Sequence, residues 1–434
     1  MTTEIAIMNK SAVALAADSA VTISLTSQQG RGVKVLNSAN KLFALSKHAP
    51  IGLMSYGNAS LLGIPWETII KMYRIHLGAK TFSTVEEYCK NFFNFMDAFP
   101  VDERIQKIYV ANGALGLFKE CKDMLDKWVH DNIKNKKPIT TKEIEIEFEN
   151  IINKQYKQFQ KIGKKSIFSA QKRSSLRIKY NTLIDEIIAE IFGNFPITEQ
   201  IRTKLLAIAI NAASMGPQNQ SGIVIAGFGD KEIFPSCYSY NVASIFSGKT
   251  IKHDGSMKKI THDMGSSIMP FAQSDDVHTF MCGLGPKLAK FLNSTFKDIM
   301  INGLPNQLCN QIINKFRIDA SQKNDLQNII INMCKGAYDF AFDEFRKQQS
   351  IHYVNPVVKA TEFLNKSELA AMAETLVNLV SFRKQVTMEA ETVGGPIDVA
   401  VITKGDGLIW IKRKHYFQPD LNPQFFNNNY PKGN

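Results

Sequence analysis

Thr2-Thr3-Glu4-Ile5-Ala6-Ile7-Met8-Asn9-Lys10-Ser11-Ala12-Val13-Ala14-Leu15-Ala16-Ala17-Asp18-Ser19 is the stretch on which the fold turns. Residues 4–8 are a short run of strand formers, Asn9-Lys10-Ser11 is turn chemistry, and residues 12–17 form a second apolar run that stops abruptly at Asp18. Both runs are too short for helices and predict paired strands. Two more strands are expected at 41–45 and 51–56. After Gly57 the period changes: Leu61, Ile64, Ile69, Met72 and Tyr73 recur at helical spacing, with Pro65 suited to a first turn. Ser83-Thr84-Val85-Glu86 reads as a capping box for a second helix carrying Tyr88, Phe92, Phe95 and Met96 on one stripe and closing near Pro100.

Outward from this start, residues 101–215 are lysine-rich, poor in turn residues and helical in period, as an insertion would be. Strand character returns within 216–283, where 222–228 and 234–242 flank Gly229-Asp230-Lys231 and a variable stretch rich in Gly, Ser and Lys runs to about Pro270. Helical periodicity fills 284–365 as a second insertion. Ser367-Glu368-Leu369 opens a helix in 366–415, which closes with a hairpin, 397–403 and 408–412, around Lys404-Gly405-Asp406-Gly407. Residues 416–434 read as a tail. Strand pairs with grouped helices predict an α+β layered domain rather than a parallel βαβ sheet.

Composition narrows the class. The 434 residues are 44% apolar, ordinary for a globular chain, and no run approaches the roughly 20 apolar residues of a bilayer span. The start has no secretory pattern, and six scattered cysteines form no zinc motif, so a cytoplasmic protein with reduced thiols is expected. The net charge of +12 is concentrated: nine basic residues and no acidic one lie between Asn150 and Ile184. Tyr156, Phe159, Phe168 and Tyr180 interleave with them, as a single-strand-binding surface requires, but also sit at buried-stripe spacing. The segment is read as a solvated helix face, with a nucleic-acid or acidic-partner surface as the rival. His253-Asp254 and His262-Asp263 are too far apart for one helix face, Asp275-Asp276-Val277-His278 reads as a helix start, and Gly227-Phe228-Gly229 lacks the rest of a phosphate loop. No metal or cofactor is expected.

The chemistry lies at the N-terminus. Excision of Met1, expected before so small a side chain as Thr2, would put a hydroxyl and a free α-amine on one residue. The amine, with an ordinary pKa near 7.7 to 8.0, can serve as the base that the hydroxyl needs. A lysine would hold that amine neutral, and a carboxylate would orient the lysine. Asp18 ends the second strand and Lys34 lies in Gly32-Val33-Lys34-Val35.

Thr2, Asp18 sixteen residues later and Lys34 sixteen beyond it resemble the active-site layout of proteasome β-subunits and their simpler bacterial peptidase relatives, of the N-terminal-nucleophile hydrolase superfamily. The resemblance implies Thr2 as nucleophile and base, Asp18 as orienting acid and Lys34 as its lysine. It implies the Gly57 amide, in Ser55-Tyr56-Gly57-Asn58-Ala59, as oxyanion donor, and Val21, Thr22, Gly32 and Leu36 as substrate-binding residues. It further implies a four-layer αββα sandwich of two antiparallel sheets, enlarged by the insertions, and threonine-type peptide-bond hydrolysis. The partners would be a peptide or unfolded protein, further copies of the chain, in a ring among other forms, and an unfoldase ATPase. The hairpin at 223–242 and Val393-Gly394-Gly395-Pro396-Ile397-Asp398-Val399-Ala400 extend it. The chain departs from the pattern at Ala390-Glu391-Thr392-Val393-Gly394-Gly395, where the family has Asp-x-x-Ser-Gly-Gly. It departs also at Ala20, often arginine, and at the middle auxiliary serine, for which Ser266, Ser267 and Ser274 are candidates. A catalytically silent structural subunit is the second alternative.

Overall fold

The computed structural model describes residues 2–27, 30–163, 166–216, 220–316, 319–387, 393–415, 417–424 and 427. In chain order these form β1 (Thr3–Asn9), β2 (Ala12–Ala17), β3 (Val21–Ser27), β4 (Gly30–Leu36), β5 (Leu42–Ala44), β6 (Ile51–Gly57), β7 (Ser60–Leu61), β8 (Ile64–Pro65), α1 (Trp66–Leu77), α2 (Val85–Asp97), α3 (Glu103–Lys134), α4 (Thr141–Gly163), α5 (Ala170–Phe192) and α6 (Glu199–Ala213). The second half continues with β9 (Ser221–Gly227), β10 (Ser236–Phe246), β11 (Lys249–Lys259), β12 (Ser266–Ala272), α7 (Asp275–Cys282), α8 (Pro286–Lys297), α9 (Leu304–Phe316), α10 (Ala320–Gln349), α11 (Asn355–Phe363), α12 (Lys366–Val386), β13 (Asp398–Thr403) and β14 (Gly407–Lys412). The fold is α+β, with antiparallel sheets and many helices. Its contacts divide into two units, one of Met1–Leu42, Ile233–Ser236 and Lys258–Asn434, the other of Phe43–Glu232 and Cys237–Met257.

The first unit is built on a five-stranded antiparallel sheet in the order β12-β1-β2-β13-β14. β1 and β2 are buried along their whole length, which is why their sequences are near-continuous apolar runs rather than alternating ones. On one face lies α12, whose Leu369, Ala370, Ala373, Leu376, Val377 and Val380 recur at helical spacing against Ile5, Ile7, Ala12, Ala14 and Ala16. The alanines of β2 leave room for the helix to approach. Because side chains alternate across a strand, Glu4, Ala6 and Met8 point to the opposite face. The β1–β2 turn is fixed by Asn9, whose Oδ1 accepts from Ser11 N at 3.0 Å and Ala12 N at 3.1 Å. Its Nδ2 donates to the carbonyls of Thr361 and Leu364 at 3.2 and 2.9 Å, tying the end of α11 to the hairpin.

The second unit carries a five-stranded sheet in the order β11-β10-β9-β6-β5. Trp66, Ile69 and Tyr73 of α1 and Tyr88 and Phe92 of α2 form one core with Leu53, Ile223 and Ile225 of that sheet. The helices α3 to α6 surround a separate core that includes Phe118, Phe148, Tyr180, Ile184 and Leu205. Phe168 and Tyr180 are buried there and Tyr156 and Phe159 pack against it, so the aromatic residues of the basic segment serve the core rather than a stacking surface. No described helix is long and apolar enough to cross a membrane.

Two local expectations are corrected. The variable stretch up to Pro270 contains β11 and β12, and both are edge strands, where Pro, Gly and Lys are tolerated because one row of backbone groups is unpaired. The cap of α2 is Thr84 rather than Ser83: its side chain accepts from Glu87 N, and Glu87 reaches back to Ser83 N at 2.9 Å.

Candidate active site

The register of the first hairpin, with Glu4 opposite Ala17, delivers Asp18 to the start of β1. Asp18 N donates to Thr3 O at 3.2 Å and Thr3 N donates back to Asp18 Oδ1 at 3.1 Å. The residue is 1% exposed and its carboxylate fully engaged: Oδ2 accepts from Ala20 N at 3.2 Å and Gly394 N at 3.1 Å, and Oδ1 also from Lys41 Nζ at 2.6 Å. Three backbone donors and one cation compensate its desolvation. The glycine pair has a structural reason here. Gly394 sits against Asp18 and accepts from Ser19 N, while Gly395, at φ +76°, would place a Cβ 2.8 Å from that of Asn37.

The lysine beside Asp18 is Lys41, not the expected Lys34. Lys34 is exposed on β4, where it pairs across the β3–β4 hairpin with Ile23. An ungapped count from Asp18 ignores the length of that hairpin, after which the chain must still return to Asp18. It does so through Ala39, whose N donates to Ser19 O at 3.1 Å, and Lys41, 4% exposed, is the cation that arrives.

Sequence reasoning also passed over Glu4. Its side chain is fully buried, two residues from Thr2 on the same strand face, with Oε2 3.2 Å from Thr2 Oγ1 and Oε1 3.6 Å from Lys41 Nζ. Burial raises its pKa from the ordinary 4.5 to about 8, opposed by the Lys41 charge and reinforced by that of Asp18. Two buried carboxyl groups thus flank one buried cation, and Glu4 keeps its proton at neutral pH. The signal was a lone carboxylate inside an otherwise apolar, fully buried strand. Thr2 itself is 3% exposed, and its carbonyl accepts from Gln273 N at 3.1 Å. Gln273 lines an open cleft of about 560 Å³ with Ser274, Asp275, Asp276, Thr279 and Arg383.

The remaining expected residues are distributed as follows. Val21 and Leu36 face each other across the β3–β4 pair, and Thr22 lies opposite Val35 and Gly32 opposite Leu25. Gly57 ends β6 in the other unit; its φ of +79° and the 2.6 Å a Cβ would leave to Gln220 O require glycine on steric grounds alone. Of the three candidate serines, Ser266 and Ser267 lie opposite Asn9 and Met8, at the far end of β1, and Ser274 lies beside Gln273 at the Thr2 end. Met1, Ala390, Glu391 and Thr392 lie outside the described residues. His253 Nε2 is 2.9 Å from Met215 O, His262 packs edge-on against Phe234, and Asp275 and Asp276 occupy the first turn of α7, where Asp276 pairs with Arg383.

No protein-family model matches the chain, and no curated protein matches its sequence. Among solved structures it is similar to Anbu, described as an ancestral β-subunit, from Yersinia bercovieri, at 8% identity over 100% of this chain and 98% of that one, with a TM-score of 0.27. It is likewise similar to an Anbu mutant from Hyphomicrobium sp., at 8% identity over 99% and 94% of the two chains, with a TM-score of 0.28.

Proposed function

We propose that the chain is a threonine-type peptidase of the N-terminal-nucleophile kind. Once Met1 is removed, Thr2 Oγ1 attacks the scissile carbonyl, the freed amine takes its proton, and water later hydrolyses the acyl-enzyme. Asp18 keeps its assigned place, and the lysine role passes from Lys34 to Lys41. The Gly57 amide is the proposed oxyanion donor. An extended peptide is proposed to lie along the β3–β4 hairpin at Val21, Thr22, Gly32 and Leu36. The reading includes the four-layer sandwich, self-assembly of the chain and an unfoldase partner.

The observation that carries it is the buried Lys41–Asp18 pair, 2.6 Å apart and bonded to the backbone of Thr3. A buried ion pair is commonly no more stabilising than an apolar substitute, so its placement one carboxyl group, that of Glu4, from the Thr2 hydroxyl supports a chemical use. The test combines intact-mass measurement with turnover of an unfolded protein. The expected result is loss of Met1 and of all turnover in Thr2→Ala; a retained Met1, or turnover in that variant, refutes the reading.

A further inference from the structure

We propose that α8 to α10 are half of a four-helix bundle, which a second copy of this chain completes. The inference deepens one part of the reading above, self-assembly of the chain, and is independent of the chemistry at Thr2.

These helices lie wholly within the first unit and form two antiparallel rods. In one, α8, a π-helical turn at Asp298–Gly303 and α9 run on from residue 286 to 316; the other is α10. The seam between them is marked on α10 by the i, i+4 row Ile330, Cys334, Tyr338 and Phe342. Ile330 and Cys334 are buried with Cys309, Tyr338 Oη donates to Asn293 Oδ1 at 2.6 Å, and the Phe342 and Phe296 rings meet at 6.1 Å between centroids. One residue before each seam position, about 100° round the helix, is the row Ile329, Met333, Ala337, Ala341 and Phe345. All five are exposed, Met333 by 69%. The same offset from Asn293 gives Leu292, which lies in one row with Leu288 and Ile299, 51% and 52% exposed. In an antiparallel pair the positions before the seam share one side, so the two rows make one apolar side. One residue after the seam come Lys335, Asp339, Asp343 and Lys347 on α10 and Lys297 on α8, all exposed, so the charges lie on the other side.

The occupant follows from size, charge and shape. A helix pair with one apolar side buries it against another helical layer, and two such pairs face to face are an up-and-down four-helix bundle. A rod from 286 to 316 is about 45 Å long and two helices are about 20 Å wide, so the side offers about 900 Å². Each partner in a stable complex gives roughly 800 Å². A two-fold contact sets a surface against its own copy, which an uncharged row tolerates and a row of one charge does not. Neither apolar row contains Lys, Arg, Asp or Glu, and Ala337 and Ala341 leave room for a partner helix.

The test places a photoreactive benzophenone side chain at position 337 of the full chain, and at position 339 as the control. The expected result is a cross-linked dimer from position 337 alone, with the adduct in residues 286–316 or 320–349 of the second copy. Sedimentation velocity is the second measurement. Ile329→Glu and Met333→Glu each set an unpaired carboxylate in the contact and should weaken dimerisation at least about a hundredfold. Lys335→Glu, on the other side, should stay within about threefold of wild type. Adducts elsewhere, or Glu variants that associate like wild type, overturn the proposal and leave self-assembly to other surfaces. A chain monomeric at every concentration, whether or not its apolar side then takes up phospholipid vesicles, overturns both. Turnover by Thr2→Ala, which decides the nucleophile, has no bearing on the cross-link.

Discussion

Lys41→Met should unfold the first unit far more readily than Lys34→Met, and the size of the difference follows from burial. The Lys41 ammonium and the Asp18 carboxylate are 5% and 0% exposed, at 2.6 Å. Removing one partner of such a pair typically costs about 3–5 kcal/mol, because the remaining charge is buried without compensation. Asp18 keeps three backbone N–H donors in the variant. These hold the expected loss to about 3 kcal/mol, roughly a hundredfold in the folding equilibrium. Lys34 is exposed on its hairpin, where a substitution stays within about 0.5 kcal/mol. Urea titration of both variants at constant m-value measures the two losses directly. The double variant Asp18→Asn/Lys41→Met should cost at least about 1 kcal/mol less than the sum of the single changes, since it removes both charges. Equal losses for Lys34 and Lys41, or additive behaviour of the double variant, would refute the assignment of Lys41 as the partner of Asp18.

Other outcomes follow from the same geometry. The folded chain holds a proton on Glu4 between pH 4.5 and about 8 that the unfolded chain releases. Stability from this group is therefore complete below the lower value and falls as pH rises through that window, by up to about 1.4 kcal/mol per unit, before levelling. Glu4→Gln removes that slope, and an unchanged slope in the variant would contradict the raised value. Asn9→Ala leaves buried groups of the first turn and the end of α11 unpaired, so a loss of about 2–4 kcal/mol is expected; Asn9→Asp, which keeps the Oδ1 bonds, should lose less, and calorimetry ranks the two. Gly57→Ala forces a Cβ against Gln220 O at positive φ and should cost about 1–3 kcal/mol whether or not its amide has a catalytic use.

What could be read from residues alone was local. The β1–β2 hairpin, the abrupt stop at Asp18, the chain reversal at Lys404-Gly405-Asp406-Gly407 and the helix opened near Ser367 depend on turn chemistry and hydrophobic period within a dozen residues. The lysine was not legible in that way. Lys34 and Lys41 both lie after Asp18 in extended segments, and which one returns depends on how far the β3–β4 hairpin runs before Ala39 docks on Ser19. Glu4 was hidden for the opposite reason: its neighbours Ile5 to Met8 mark a strand so clearly that the carboxylate was counted only as part of that run, although β1 is buried along its whole length. β12 was missed because Pro270 and two serines weaken strand propensity, a penalty that an edge position removes. Asp18 and Gly394 are 376 residues apart, and only the pairing of β13 with β2 makes them neighbours.

Thr2 Oγ1 is the proposed nucleophile. Incubation with an N-terminal-threonine-directed epoxyketone, followed by peptide mapping of the adduct, tests it most directly. One adduct is expected, on Thr2, in chains that have lost Met1, absent from Thr2→Ala and strongly slowed in Lys41→Met. An adduct on any other residue, or undiminished labelling of chains that retain Met1, would contradict it.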